Sequence, residues 1–144
     1  KAVDDISFDL YEGETLGIAG ESGCGKSTLI RTVLRIIEPT DGTIEFQGED
    51  YRKLKGKTLR KSRCNMQIVF QDPLASLNPR KTIFQIIEEI NQKGTTILLV
   101  EQNAKRALSI ADRAYVLETG HVIMEGKADQ LLNDDSIKKA YLGG

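Results

Sequence analysis

The run from Gly17 to Ile30, GIAGESGCGKSTLI, leaves this chain little choice in how it starts to fold. Gly20, Gly23 and Gly25 precede Lys26, Ser27 and Thr28; a short apolar strand, Thr15–Ala19, runs in, and an apolar helix, Leu29–Ile37, runs out. This is G-x-x-x-x-G-K-S between a strand and a helix. Glycines let successive N–H groups curl around an anion, and a helix starting near Lys26 aims its positive end at the same point. Lys26 adds a full charge suited to β- and γ-phosphates, and the Ser27 hydroxyl is placed to ligand Mg²⁺. Gly20, Ser22, Gly23, Cys24, Gly25, Lys26, Ser27 and Thr28 are therefore the candidate binding residues, with Mg²⁺ and ATP as the expected ligands. A glycine-rich turn that binds nothing would not need Lys-Ser at this offset with both flanks in place.

Composition narrows the class. At 144 residues the chain has the length of one domain, here expected to span 1–144. With 40% hydrophobic and 28% charged residues it reads as a soluble globular protein. No apolar run approaches the ~20 residues of a membrane span, and Lys1 opens no signal peptide. A net charge of −1 argues against a dedicated nucleic-acid partner. Two cysteines, Cys24 and Cys64, imply neither a disulfide framework nor a zinc site, so a reducing, cytoplasmic compartment is expected.

Periodicity and turn residues give the map. Two strands are expected at Ile6–Tyr11 and Thr15–Ala19, joined by a turn at Glu12-Gly13, and a short one at Thr43–Gln47. DYRKLKGKTLRKSR reads as a basic, solvated helix and Asn65–Phe70 as an apolar strand. Thr82–Gln92 has helical apolar spacing, with Ile83, Ile86, Ile87 and Ile90 expected in the core. A buried strand at Thr95–Val100, a helix capped near Asn103, a hairpin around Thr119-Gly120 and two short helices complete the chain. The order predicts an α/β fold: a P-loop NTPase-like, mostly parallel sheet flanked by helices, with a small N-terminal antiparallel β element. The nucleotide then belongs at the carboxyl ends of the strands.

Longer stretches carry a resemblance. AVDDISFDLYEGETLGIAGESGCGKSTLIRTVLRIIEPTDGTIEFQGED and IVFQDPLASLNPRKTIFQII resemble ATP-binding-cassette (ABC) ATPases of oligopeptide and dipeptide importers. GTTILLVEQNAKRALSIADRAYVLETGHVIMEGKADQLLNDDSIKKAYLGG is similar to the end of a branched-chain amino-acid importer ATPase. The resemblance implies an ATP-binding importer subunit that engages membrane permease subunits from the inner face of the membrane without inserting into it. It also implies that Gln71 is the Q-loop glutamine, reaching Mg²⁺ and the γ-phosphate; Gln71 does follow an apolar strand end. Where the family has a switch histidine, this chain reads Glu101-Gln102-Asn103, which makes Gln102 a candidate. The family's adenine-stacking aromatic is expected ahead of Lys1.

Four family features are missing where their order would put them, near residues 87–94: a helical subdomain, the L-S-G-G-Q signature, a strand ending in Asp-Glu, and the loop after it. The chain thus reads as a truncated ABC ATPase core. The Asp-Glu pair would anchor Mg²⁺ and polarise the attacking water, and the signature caps the γ-phosphate held by a second subunit. Binding is better supported than turnover, because stabilising transition-state charge is what accelerates a reaction. ILLVEQ, Ile97–Gln102, imitates the missing carboxylate strand, so Glu101 joins Gln71 and Gln102 as a catalytic candidate; its plainer role is to end a buried strand. His121, without a second histidine or a cysteine near it, reads as a surface residue rather than a metal ligand.

Closing the shortened sheet requires neighbours for Thr15–Ala19. The expected order is Asn65–Phe70, Thr95–Val100, Thr15–Ala19, Arg113–Leu117, all parallel, with His121–Glu125 antiparallel beyond. Three functions fit these observations: an importer's ATP-binding module with weak hydrolysis, a small self-sufficient NTPase using Glu101, and a recombined or designed P-loop scaffold with no transport role.

Overall fold

Thr15–Gly20, strand β1, is buried at every position, as a central parallel strand covered on both faces must be. The computed structural model describes residues 2–66 and 82–141. They fall into two compact units, residues 2–27 with 82–141 and residues 28–66. In chain order the elements are β1, α1 (Lys26–Val33), β2 (Glu45–Phe46), β3 (Glu49–Asp50), α2 (Gly56–Arg63) and α3 (Ile83–Gln92). Then come β4 (Ile97–Glu101), α4 (Ala104–Ile110), β5 (Arg113–Glu118), β6 (His121–Lys127), α5 (Ala128–Asn133) and α6 (Asp135–Tyr141).

In the larger unit the sheet order is β4-β1-β5-β6. β1 pairs parallel with β4 (Thr15 to Ala19 against Ile97 to Glu101) and with β5, and β6 returns antiparallel on β5. The expected adjacency of Thr15–Ala19 and Thr95–Val100 is present. One sheet face carries Ala19, Leu99, Ala114 and Val116; α4 packs there through Ala104, Ala107 and Leu108, and α5 and α6 through Ala128, Leu131 and Ile137. The other face buries Leu16, Ile18, Tyr115 and Leu117, with the Phe8 ring against Tyr115. Each fully buried aliphatic side chain contributes about 1.5–3 kcal/mol.

Local chemistry sets several element ends. Thr82 and Gln85 form a reciprocal capping box on α3. Asp112 extends the β1–β5 ladder: its carboxylate accepts the Thr15 N–H and its own N–H donates to the Thr15 carbonyl, both at 2.8 Å. Asn91 donates to the carbonyls of Gly13 and Thr95, pinning the end of α3 to the turn before β1.

Three expectations need correction. Ile6–Tyr11 is not a strand: the Asp9 carbonyl accepts from the Arg113 guanidinium rather than from a ladder neighbour. The antiparallel pair in the N-terminal half is instead β2 with β3. Asn65 and Met66 carry on the turns after α2, donating to Ser62 and Arg63 carbonyls, so no strand begins there; residues 67–70 of that expected strand, and Gln71, lie outside the described residues. No residue of α3 is buried; Ile83 and Ile90 are exposed and Ile87 alone packs on the α4 cluster. Ile87 reaches the cluster of Ala19, Leu99, Ala104 and Ala107, and the other isoleucines of the helix stay outside it.

The smaller unit is built around a buried cation. Arg35, 8% exposed, donates to the carbonyls of Tyr51 and Leu54 and forms a two-pronged pair with Glu38. Tyr51 is fully buried, with Phe46 edge-on against its ring. α2 buries no residue, as expected of a basic solvated helix.

At the amino end of the sheet, Arg113 meets the Glu14 carboxylate through Nε (3.0 Å) and Nη2 (2.8 Å) and lies over the Tyr11 ring. The Arg113 hydrogen bond holds the Glu14 carboxyl below its ordinary 4.5, against the opposing effect of burial. Because the folded value is the lower one, the stabilisation is complete above the ordinary glutamate range and is lost as pH falls through the folded value. Glu14→Gln is expected to cost about 2 kcal/mol at neutral pH, the scale of hydrogen bonds to a charged group. It should also flatten the acid limb of stability, measured by thermal melts from pH 7 to 3.

Candidate nucleotide site

The phosphate-loop residues all follow β1 without a break. Gly20 closes the strand, the Cys24 N–H turns back to the Glu21 carbonyl (3.3 Å), and α1 starts at Lys26. The loop has a buried floor and an open rim: Cys24, Gly25 and Lys26 are buried, while Glu21, Ser22, Gly23 and Ser27 are exposed and Thr28, next along the helix, is half-buried. Gly25 has φ of 105°, and a side chain there would strike the Ala2 carbonyl; only glycine fits.

Lys26 is 7% exposed. Its ammonium donates to the carbonyls of Gly20 (2.6 Å) and Glu21 (2.7 Å) and to the Cys24 sulfur (3.4 Å). These acceptors are neutral groups of the lysine's own loop, so a positive charge is held where an anion would be its better partner. The donor set fits a polyphosphate. For Mg²⁺ the loop offers the Ser27 hydroxyl, and the described residues contain no group of three His, Cys, Asp or Glu that could hold a metal. Mg²⁺ keeps water and phosphate oxygens as ligands, so one hydroxyl suffices for an ion arriving with a nucleotide.

The strand register brings the second set of candidates to the same end of the sheet. Glu101 pairs with Ala19, one residue short of the loop. Its carboxylate accepts the Asn103 N–H (3.0 Å), and the Asn103 side chain accepts the Arg106 N–H (3.0 Å), capping α4. Glu101, Gln102, Asn103, Lys105 and Tyr141 line an open recess of about 570 Å³. Burial, and after it the charges of Glu118 and Glu21, push the Tyr141 phenol above its usual range. Tyr141 escaped the sequence reading, since nothing near it in the chain marks it as a neighbour of the loop. His121 is exposed on β6, and Cys24 and Cys64 are both free thiols.

A central parallel strand, a glycine-rich loop with a buried lysine, and a helix leading away define a P-loop NTPase fold. The profile of the ABC transporter family matches residues 3–139, and the chain belongs to that family. It is 56% identical over 106 residues to the oligopeptide transport ATP-binding protein AppF of Bacillus subtilis, covering 73% of this chain and 32% of that protein. It is 58% identical over 91 residues to OppF of the same organism, covering 62% of this chain and 30% of that one. The chain thus spans under a third of the length of these relatives. Among solved structures, cbiO1 from Clostridium perfringens, part of the ABC transporter complex cbiONQ, superposes with a TM-score of 0.81 at 17% identity, covering 96% of this chain and 88% of that one. The ATP-binding cassette MJ0796, bound to ADP and Pi, gives 0.70 at 16%, covering 88% and 90%. At these identities the likeness shows the fold.

Asn103→Ala should lower stability by about 1 kcal/mol through loss of the α4 cap, read from denaturant unfolding. Maleimide should modify exposed Cys64 well before buried Cys24, checked by peptide mass mapping over time.

Proposed function

We propose that this chain is the ATP-binding part of an ABC importer for peptides, holding Mg-ATP on Gly20–Thr28 and hydrolysing it slowly or not at all. The carrying observation is the Lys26 ammonium, buried against neutral carbonyls of its own loop. On binding, Lys26 would exchange those acceptors for β- and γ-phosphate oxygens, trading neutral hydrogen bonds for charge-assisted ones. The loop N–H groups and the start of α1 would bind the same phosphates, and the Ser27 hydroxyl would ligand the metal. Bound Mg²⁺ supplies charge neutralisation between the phosphates.

Peptide cargo, rather than the amino acids that the C-terminal resemblance also suggested, is favoured by relatives named for oligopeptide transport. On this reading residues 1–144 form one nucleotide-binding domain shortened near 87–94. It works in the cytoplasm, on permease subunits at the inner membrane face; among the described residues no helix is long and apolar enough to cross a membrane. Gln71 is a proposed contributor to metal binding and to γ-phosphate contact, and Gln102 a proposed catalytic residue at the place of the family's switch histidine.

Slow turnover follows from the strand that stands beside β1. Its terminal Glu101 is engaged by the Asn103 N–H and lacks the Asp that precedes Glu in the family's catalytic strand; Val100 stands there instead. A second reading, a small NTPase with Glu101 as its base, is favoured by the pairing of Glu101 with Ala19 beside the loop.

A titration with a fluorescent ATP analogue and Mg²⁺ separates these from a scaffold that binds poorly. Lys26→Ala should weaken binding roughly 10- to 100-fold, the equivalent of the ~1.5–3 kcal/mol of hydrogen bonds to a charged group. Equal binding by the two proteins would move the site elsewhere. Phosphate release should stay below roughly 1 per second, the low end for enzymes, and Glu101→Gln should leave it unchanged; a large loss in that variant would select the second reading.

A further inference from the structure

The phosphate loop is fastened from outside by a contact that its own motif does not contain. β5 and β6 are joined through Thr119 and Gly120, with φ of 47° and 83°. Thr119 is exposed but Gly120 is buried. The Gly120 N–H donates to the Cys24 carbonyl (2.9 Å), and the Gly120 carbonyl accepts the Asp4 N–H (3.0 Å). The Ala2 carbonyl covers both glycines of this junction. A Cβ on Gly120 would come within 2.8 Å of that oxygen, and one on Gly25 would strike it as well. Residues 2–4, Cys24-Gly25 and Gly120 thus share one backbone junction with no room for a side chain.

The geometry has a consequence for the anion site. Cys24 and Gly25 are joined by a trans peptide, in which the C=O and N–H point in opposite directions from one rigid plane. A Cys24 carbonyl held toward Gly120 therefore turns the Gly25 N–H away from Gly120. Gly25 is the last glycine before Lys-Ser, a position whose N–H belongs to the phosphate-binding nest. A free loop would let this peptide plane rotate, and the donor would have to be oriented at each binding event.

We propose that Gly120 is a positioning residue for anion binding. Its N–H orients the Cys24–Gly25 peptide so that the Gly25 N–H is presented to phosphate, and residues 2–4 clamp the turn in place. The proposal rests on the reading that this loop holds a nucleoside triphosphate.

Gly120→Ala tests it against Gly94→Ala. Gly94 also has positive φ, 94°, but has open space where a Cβ would go, so backbone strain is matched and only the junction differs. The readouts, on the full chain, are affinity for the fluorescent ATP analogue with Mg²⁺ and the maleimide labelling rate of Cys24 relative to Cys64, with folding followed by circular dichroism. In Gly120→Ala the dissociation constant should rise about tenfold, the equivalent of one hydrogen bond at ~1.4 kcal/mol, and Cys24 should label faster; Gly94→Ala should change neither. Affinity and Cys24 labelling both matching Gly94→Ala would overturn the proposal. If Gly120→Ala fails to fold, Asp4→Pro against Asp4→Ala decides, because proline removes the N–H that Gly120 accepts while alanine keeps it. Weaker binding and faster Cys24 labelling in the proline variant alone support the clamp, and equal behaviour overturns it. Should Lys26→Ala bind as tightly as wild type, the phosphate reading fails, and the Cys24 labelling rates still judge the junction.

Discussion

Parallel pairing on both edges of β1 is the constraint from which the larger unit follows. A parallel neighbour cannot be reached by a tight turn, so each strand that joins β1 must arrive through a crossover. α4 is the crossover between β4 and β5, and it packs on β1 and on both of them. The same pairing sends three strands out at one end of the sheet, and so the P-loop, Glu101 and the cap of α4 share that end. β6 can return antiparallel by a two-residue turn, which is how Gly120 comes back to the loop.

Charge is managed differently at the two ends of the sheet. At the amino end Arg113 has a carboxylate, a carbonyl and an aromatic face, and the arrangement is saturated. At the carboxyl end Lys26 is more deeply buried than Arg113, yet its partners are neutral. On the proposed reading, Lys26 keeps an acceptor set it can exchange for an anion without losing an ion pair. That contrast, more than burial alone, separates the lysine from the buried Arg35, whose guanidinium already holds Glu38.

Catalysis asks more of this site than binding does. Binding a polyphosphate needs donors in a fixed array, which a loop, a lysine and a helix start provide. Hydrolysis needs groups preorganised toward the charge that develops in the transition state, and on the proposed reading these are lost with the segment shortened near 87–94. β4 occupies the place beside β1 and brings one carboxylate, already held by a backbone N–H.

What the sequence determined by itself is local. The P-loop, the Thr82 start of α3, the Asn103 cap and the Thr119-Gly120 turn each rest on residues a few positions apart, whose hydrogen bonds form whatever the rest of the chain does. The part of the order that runs Thr95–Val100, Thr15–Ala19, Arg113–Leu117 was legible too, whereas the outer strand expected from Asn65 does not begin there. Tertiary structure decided the rest. Ile6–Tyr11 has the alternation of a strand but no ladder partner among the described residues, and its Asp9 carbonyl goes to Arg113 instead. The isoleucines of α3 have core spacing, yet none is buried and Ile87 alone of them meets a core cluster. Glu14 with Arg113, Gly120 with Cys24, and Tyr141 beside Glu101 join residues dozens of positions apart. No short-range pattern encodes such pairs, because their energy exists only once the sheet has brought the two backbones together.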